Sequence, residues 1–177
     1  MINEPPGVPA DTNNQFLSFS QQGLSIRDAI PNDVPLLFEV YASTRLPELE
    51  LVAWDGNQKL AFIKMQFDAR QAQYRDVYRG ATSSIILQDG EPIGTMLVEI
   101  GEHAIALIDI ALLPAHRNAG LGTQLVRGLM NEAGGAGKMI RLHVLRTSAA
   151  VRFYERLGFQ KTSDDGTYLE MTWQASR

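Results

Sequence analysis

Hydrophobic positions change period several times along this chain, and each change marks an element. Leu24-Ser25-Ile26-Arg27-Asp28-Ala29 alternates apolar and polar residues, the period of a half-buried strand. Pro31-Asn32-Asp33 then offers a helix start, with Val34, Leu37, Phe38 and Tyr41 following at spacings of three and four. After a less regular stretch over 46–54, Asp55-Gly56-Asn57-Gln58 has the form of a capping box. Leu60, Ile63, Phe67, Tyr74 and Tyr78 mark one face of a long helix ending near Gly80. Beyond it, strands are predicted over 83–87 and 92–100, joined at Asp89-Gly90, a dipeptide that tolerates the positive φ of a tight hairpin. A third strand over 104–113 is more continuously apolar, which predicts an interior position. Leu121, Leu125, Leu129 and Met130 stripe a helix over 120–133, stopped by Gly134-Gly135-Ala136-Gly137. A strand over 139–145, a helix over 148–157 stopped by Gly158, and a hairpin of 159–162 with 167–173 complete the chain. The order β-α-α-β-β-β-α-β-α-β-β predicts a mixed α/β (α+β) fold: a largely antiparallel sheet of about six to seven strands flanked by about four helices.

Residues 1–22 are rich in Pro, Asn, Gln and Ser and read as a flexible extension, leaving 23–177 as a single domain. No internal repeat is evident. With 177 residues and 45% hydrophobic side chains, the chain can bury a core of its own. The absence of cysteine excludes disulfides, thiolate metal sites and a cysteine nucleophile. His103, His116 and His143 lack metal-site spacing, so no metal is expected. A net charge of −4 argues against a nucleic-acid surface. The longest nearly uncharged apolar stretch, 104–114, contains Asp109 and is too short to span a bilayer, so no membrane partner is expected. The first residues lack the order of a secretory signal, and the expected compartment is the cytoplasm.

The segment richest in chemistry is Leu112-Leu113-Pro114-Ala115-His116-Arg117-Asn118-Ala119-Gly120-Leu121-Gly122-Thr123. It carries a buried strand through a proline turn into the first turn of a helix. Gly120 and Gly122 let a ligand oxygen approach backbone N–H groups that have no intrahelical acceptor, and the helix dipole adds positive potential there. With Arg117 just before, the arrangement suits a pyrophosphate. Pro114 removes a ladder donor, which predicts that neighbouring strand edges part nearby. A Walker loop does not fit: Gly134-Gly135-Ala136-Gly137-Lys138 is preceded by Glu132 where the first glycine belongs, and Met139 follows the lysine. The order R-x-x-G-x-G is not the Rossmann G-x-G-x-x-G either. An ordinary turn with an incidental arginine remains the rival reading of these residues alone.

Arg117-x-x-Gly120-x-Gly122, followed by a helix, a strand and then Tyr154-Glu155-Arg156-Leu157-Gly158-Phe159, resembles the GNAT superfamily of acyl-CoA-dependent N-acetyltransferases. The resemblance covers about 24–173 and implies that family's fold and acetyl-CoA as co-substrate. It implies that backbone groups of Leu112 and Leu113 pair with the pantetheine arm. It further implies that N–H groups of Asn118, Ala119, Gly120, Leu121, Gly122 and Thr123, with Arg117, bind the pyrophosphate. Tyr154 matches the tyrosine that protonates the departing thiolate; packing against Leu157 and Phe159 is its structural alternative. Two positions depart from the pattern. Thr147 and Ser148 stand where many members carry an asparagine, so Ser148 is the residue expected at the pantetheine, and Ala106 stands where some members carry a glutamate base.

The general base must then come from elsewhere. Asp109 interrupts an apolar run and has to be paired, hydrogen-bonded or facing a cleft; the resemblance favours a place near the acceptor amine. His143, Glu99 and an ordered water are the alternatives. Trp54 is the aromatic residue expected to line an acceptor pocket, while Glu48 and Glu50 would favour a cationic acceptor if they reached it. The function implied is N-acetyl transfer from acetyl-CoA to an amine acceptor of a small molecule or peptide, by direct attack on the thioester. A non-catalytic acyl-CoA-binding or regulatory module on the same fold is the alternative, and a nucleotide-binding protein of another kind is a third. Homodimer formation is left open.

Overall fold

The computed structural model describes residues 20–21 and 23–175. The extension expected at residues 1–22 lies outside them except for Ser20 and Gln21, which pair with Ser25 and Leu24 as a two-residue edge strand, β1. The elements that follow are β2 (Leu24–Asp28), α1 (Val34–Arg45), α2 (Gly56–Val77), β3 (Ala81–Gln88), β4 (Glu91–Ile100) and β5 (Ala104–Leu112). Then come α3 (Leu121–Gly135), β6 (Met139–Leu145), α4 (Ala150–Arg156), β7 (Gln160–Asp164) and β8 (Tyr168–Trp173). One sheet runs β1-β2-β3-β4-β5-β6-β8-β7, and every adjacent pair is antiparallel except β5–β6. No helix among the described residues is long and apolar enough to cross a membrane.

The local signals form as the side chains dictate. Asp55 Oδ1 accepts from Gln58 N–H at 2.9 Å while Gln58 Oε1 accepts from Asp55 N–H at 3.0 Å, closing the capping box that starts α2. Asp89 and Gly90 take φ of 51° and 86° and turn β3 tightly into β4. The helical faces are narrower than the apolar spacing implies. Val40, Tyr41 and Ala42 are the buried residues of α1 and Ile63 and Phe67 those of α2, whereas Val34 and Leu60 are exposed.

Two cores lie on opposite faces of the sheet. Leu125, Val126, Leu129 and Ala133 of α3 and Val151 and Tyr154 of α4 pack with Ile105, Leu107, Ile140, Leu142 and Val144 of β5 and β6. Tyr41, Ala42, Ile63 and Phe67 form the second core, where α1 and α2 cover the other face near β4 and β5. That second cover does not extend over β6, whose Arg141, His143 and Leu145 are exposed.

The strand parting occurs earlier than the proline turn predicts. β5 and β6 pair only from Ala104↔Met139 to Leu107↔Leu142, yet β5 stays on β4 as far as Leu112 and β6 stays on β8 as far as Leu145. The break coincides with a bulge: Leu97 pairs with Asp109 and Val98 with Leu107, leaving Ile108 as the extra residue. Pro114 lies beyond the strand, in a short 3-10 turn. The bulge also reverses the alternation of faces. Ile105 and Leu107 before it, and Ile110 and Leu112 after it, all face α3 and α4. Asp109 is thereby turned to the side of α1 and α2.

Candidate active site

Where β5 and β6 diverge, a cleft of about 550 Å³ opens, lined by Ile110, Ala111 and Leu112 from β5, by Arg117, Asn118, Gly120, Gly122 and Thr123 from the turn into α3, by Ala150, Phe153, Tyr154 and Arg156 from α4, and by Thr44 from α1. The β5 wall is an exposed ladder edge. Leu113 N–H donates to Ile93 C=O at 2.8 Å, so in antiparallel alternation residues 111 and 113 point their polar groups at β4. Those of Ile110 and Leu112 point into the cleft. Leu113 itself is fully engaged, since its C=O accepts from His116 N–H at 2.9 Å.

At the opposite end of this edge, α3 begins without a side-chain cap. Gly120 holds φ +80° as its N-cap residue, and Asn118 holds +61°. The first N–H groups of α3 are left without an acceptor in the helix, at a cleft wall that Gly120, Gly122 and Thr123 line. A Cβ on Gly120 would meet nothing within 4 Å, so the glycine answers to backbone conformation rather than to crowding. Arg117 stitches the turn down. Its Nε donates to Leu112 C=O at 2.8 Å and its Nη2 to Ser43 Oγ at 2.6 Å, joining β5, the turn and α1.

Tyr154 is 8% exposed and packs between Phe153 and Phe159, with ring centroids 5.1 and 5.4 Å away. Core packing and a place on the cleft are thus both true of it. Its hydroxyl has no hydrogen-bond partner among the described residues. Burial, reinforced by the Asp109 charge, pushes the phenol up to about 12, so it remains a proton donor throughout the physiological range.

Asp109 lies across β5 from that cleft. Arg70 of α2 donates to Asp109 Oδ2 through Nη2 at 3.2 Å. Burial raises the carboxyl above its usual range, opposed by the Arg70 charge. Asp109 lines two adjoining cavities of about 260 and 220 Å³ beneath α1 and α2. The smaller shares Thr44, Ile110 and Ala111 with the 550 Å³ cleft, so the spaces meet at the free edge of β5.

Of the sequence-predicted residues, Leu112, Arg117, Asn118, Gly120, Gly122, Thr123 and Tyr154 line one cleft; Leu113, Ala119, Leu121 and Ser148 do not. Ser148 Oγ accepts from Ala150 N–H at 3.2 Å, at the start of α4. His143 lies on the uncovered face of β6, in a small separate cavity with Tyr78 and Arg141. Glu99 lines none of these cavities, and neither does Trp54, which packs edge-on against Phe62 at 5.2 Å. Glu48 is exposed and tied to Arg45 at 2.9 Å, and Glu50 is exposed. Sequence reasoning missed Ile110, Ala150, Phe153, Ser43 and Arg70. Ala150, Phe153 and Tyr154 have one-face helical spacing, and the phase jump from Leu107 to Ile110 marks the bulge; Ser43 and Arg70 carry no local signal.

A model of the acetyltransferase (GNAT) family matches residues 45–159. No curated protein sequence matches the chain. Similar solved structures include PaiA N-acetyltransferase from Thermoplasma acidophilum in complex with coenzyme A, at TM-score 0.62 and 19% identity over 86% of this chain and 99% of that one. An acetyltransferase from Thermus thermophilus is similar at TM-score 0.62 and 21% identity, over 86% of this chain and 97% of the other. Ard1 from Thermoplasma volcanium is similar at TM-score 0.58 and 15% identity, over 88% and 99%.

Proposed function

The chain belongs to the acetyltransferase (GNAT) family, and from that premise we propose that it transfers an acetyl group from acetyl-CoA to a primary amine by direct attack on the thioester. The observation that carries this reading is the parted β5 edge running straight into an uncapped helix start: one cleft offers strand-like donors and acceptors at one end and a phosphate cradle at the other. Those are the two chemistries that a pantetheine arm and its pyrophosphate require. The donor set fits the coenzyme on this ground.

Bound acetyl-CoA supplies the acetyl group already activated as a thioester. The N–H and C=O of Ile110 and the N–H of Leu112, which β6 does not take, hold the arm, while Leu112 C=O is kept by Arg117. Arg117 acts first on the protein, fixing the turn so that the N–H groups of Gly120, Gly122 and Thr123 stay aimed at the cleft. Asp109 takes the proton that the amine nitrogen loses as its bond to the acetyl carbon forms. Tyr154 gives its phenolic proton to the sulfur as the carbon–sulfur bond breaks, and exchange with solvent restores both groups. Raised basicity suits Asp109 to accept, and a phenol held protonated suits Tyr154 to give. What supports Asp109 over His143 or Glu99 as the base is the cavity it shares with the β5 edge.

Titration calorimetry with acetyl-CoA, together with thiol release across a panel of amines, tests the reading. Binding accompanied by amine-dependent thiol release is expected. Binding without release on any amine would make this an acyl-CoA-binding module, and no binding would remove the coenzyme assignment.

A further inference from the structure

The cavity on the α1–α2 side of β5 is charged in a way that bears on the acceptor. Arg70 is held by ring faces more than by hydrogen bonds. Its guanidinium carbon lies 4.3 Å from the Tyr41 ring centroid and 5.2 Å from that of Tyr74. Of five donors, the described residues satisfy one, the single Nη2 bond to Asp109; the Nε is buried without an acceptor. The side chain is nevertheless 25% exposed, and it lines both cavities that Asp109 lines. The buried Nε is out of a ligand's reach, but an arginine stacked in this way, with Nη1 unclaimed beside Nη2, still offers its outer end to a planar anion.

The other charges point the same way. Arg45 lines the smaller cavity and Arg75 the larger, so three guanidinium groups border the space against the single carboxylate of Asp109. The acidic residues close by in sequence stay out of the lining: Glu48 is bound to Arg45 and Asp68 to Lys64, and Asp76, next to Arg75, lines neither cavity. A polycationic acceptor would meet like charge. The larger cavity also has an apolar part to its wall, Leu37, Phe67, Met96 and Leu97, beside the uncharged polar residues Gln71, Ser83 and Thr95.

We infer that the acceptor is a small amino-acid-like zwitterion with an apolar side chain, whose carboxylate docks on the free edge of Arg70 while its amine lies between Asp109 and the β5 edge. This rests on the acetyltransferase reading and names its substrate class. Arg70 is then the specificity-determining residue.

The test compares thiol release by the full chain with L-leucine and L-phenylalanine against L-leucinamide and L-phenylalaninamide, and with spermidine as a carboxylate-free polyamine. The acids are expected to exceed their amides and spermidine in kcat/KM by about 10-fold or more. Arg70→Gln also strips Asp109 of its ion-pair partner and so lowers kcat/KM for both classes, but it should shrink the acid-to-amide ratio by about 10-fold or more, and Arg70→Lys should recover only part of that ratio. Equal rates for acid and amide, a preference for spermidine, or an equal fall for both classes in Arg70→Gln would overturn the inference. An equal fall is the mark of a merely structural arginine. If no amine is turned over, calorimetry of L-leucine against L-leucinamide on the coenzyme-A-saturated protein decides. Binding of the acid alone, lost in Arg70→Gln, upholds the carboxylate site even as the transferase reading falls. Equal binding of both, or of neither, overturns it.

Discussion

Replacing Tyr154 with phenylalanine separates chemistry from packing. The ring sits between Phe153 and Phe159 at 5.1 and 5.4 Å and the residue is 8% exposed, so the aromatic body is part of the core. The hydroxyl has no partner among the described residues. Removing it breaks no hydrogen bond and leaves no cavity, so stability should change by less than about 0.5 kcal/mol, or roughly 2 °C in Tm. Tyr154→Ala, which empties the same place, should cost about 3–5 kcal/mol. The catalytic expectation is different in kind. A positioned general acid contributes about 10²- to 10⁴-fold. A phenol pushed up to about 12 is a weaker acid than a free one, which places the loss in Tyr154→Phe toward the lower part of that range, about 10²- to 10³-fold in kcat. On the proposed reading the coenzyme is held elsewhere, by β5 and the α3 turn, so its Kd should move little. Thiol release, calorimetric titration of coenzyme A and a thermal melt on one preparation give all three quantities. Unchanged kcat would show that Tyr154 is a packing residue only, and a kcat loss matched by a large fall in Tm would show that the two roles had been wrongly separated.

Three further outcomes follow from the same geometry. Asp109 is raised by burial, so the acid limb of the kcat/KM profile should lie above the ordinary carboxylate range, and Asp109→Asn should abolish that limb; an unchanged limb would assign the base elsewhere. Gly120→Ala puts a side chain at φ +80° with open space around it, so strain alone should cost about 1–2 kcal/mol and lower Tm by roughly 2–8 °C, with weaker coenzyme binding; an unaltered melt would refute the strain argument. Asp33 accepts from Arg27 at 2.6 and 2.8 Å and from Ile30 N–H at 2.8 Å, which lowers its carboxyl to about 2. Because the folded value lies below the unfolded one, this group's contribution is present above about pH 4 and lost as pH falls toward 2. Melts of Asp33→Asn across that window should therefore show a shallower acid dependence than the parent, and parallel curves would count against the linkage.

What the amino-acid order determined by itself was everything decided within a few residues. The Asp55–Gln58 box, the Asp89-Gly90 turn, the glycine stops at Gly137 and Gly158 and the uncapped start at Gly120 are each settled by neighbours in the chain. The element order and the cleft-lining residues from Leu112 to Thr123 were legible for the same reason: the strand, the turn and the start of α3 are contiguous. Tertiary structure decided where the sheet parts and which side of it each polar group faces. A one-residue bulge at Ile108, fixed by pairing with β4, sends Asp109 away from the α3 core and toward Arg70, 39 residues earlier. Ser43 reaches Arg117 across 74 residues. Such contacts depend on packing two faces of a sheet at once, and no spacing along the chain encodes which distant side chain will arrive there.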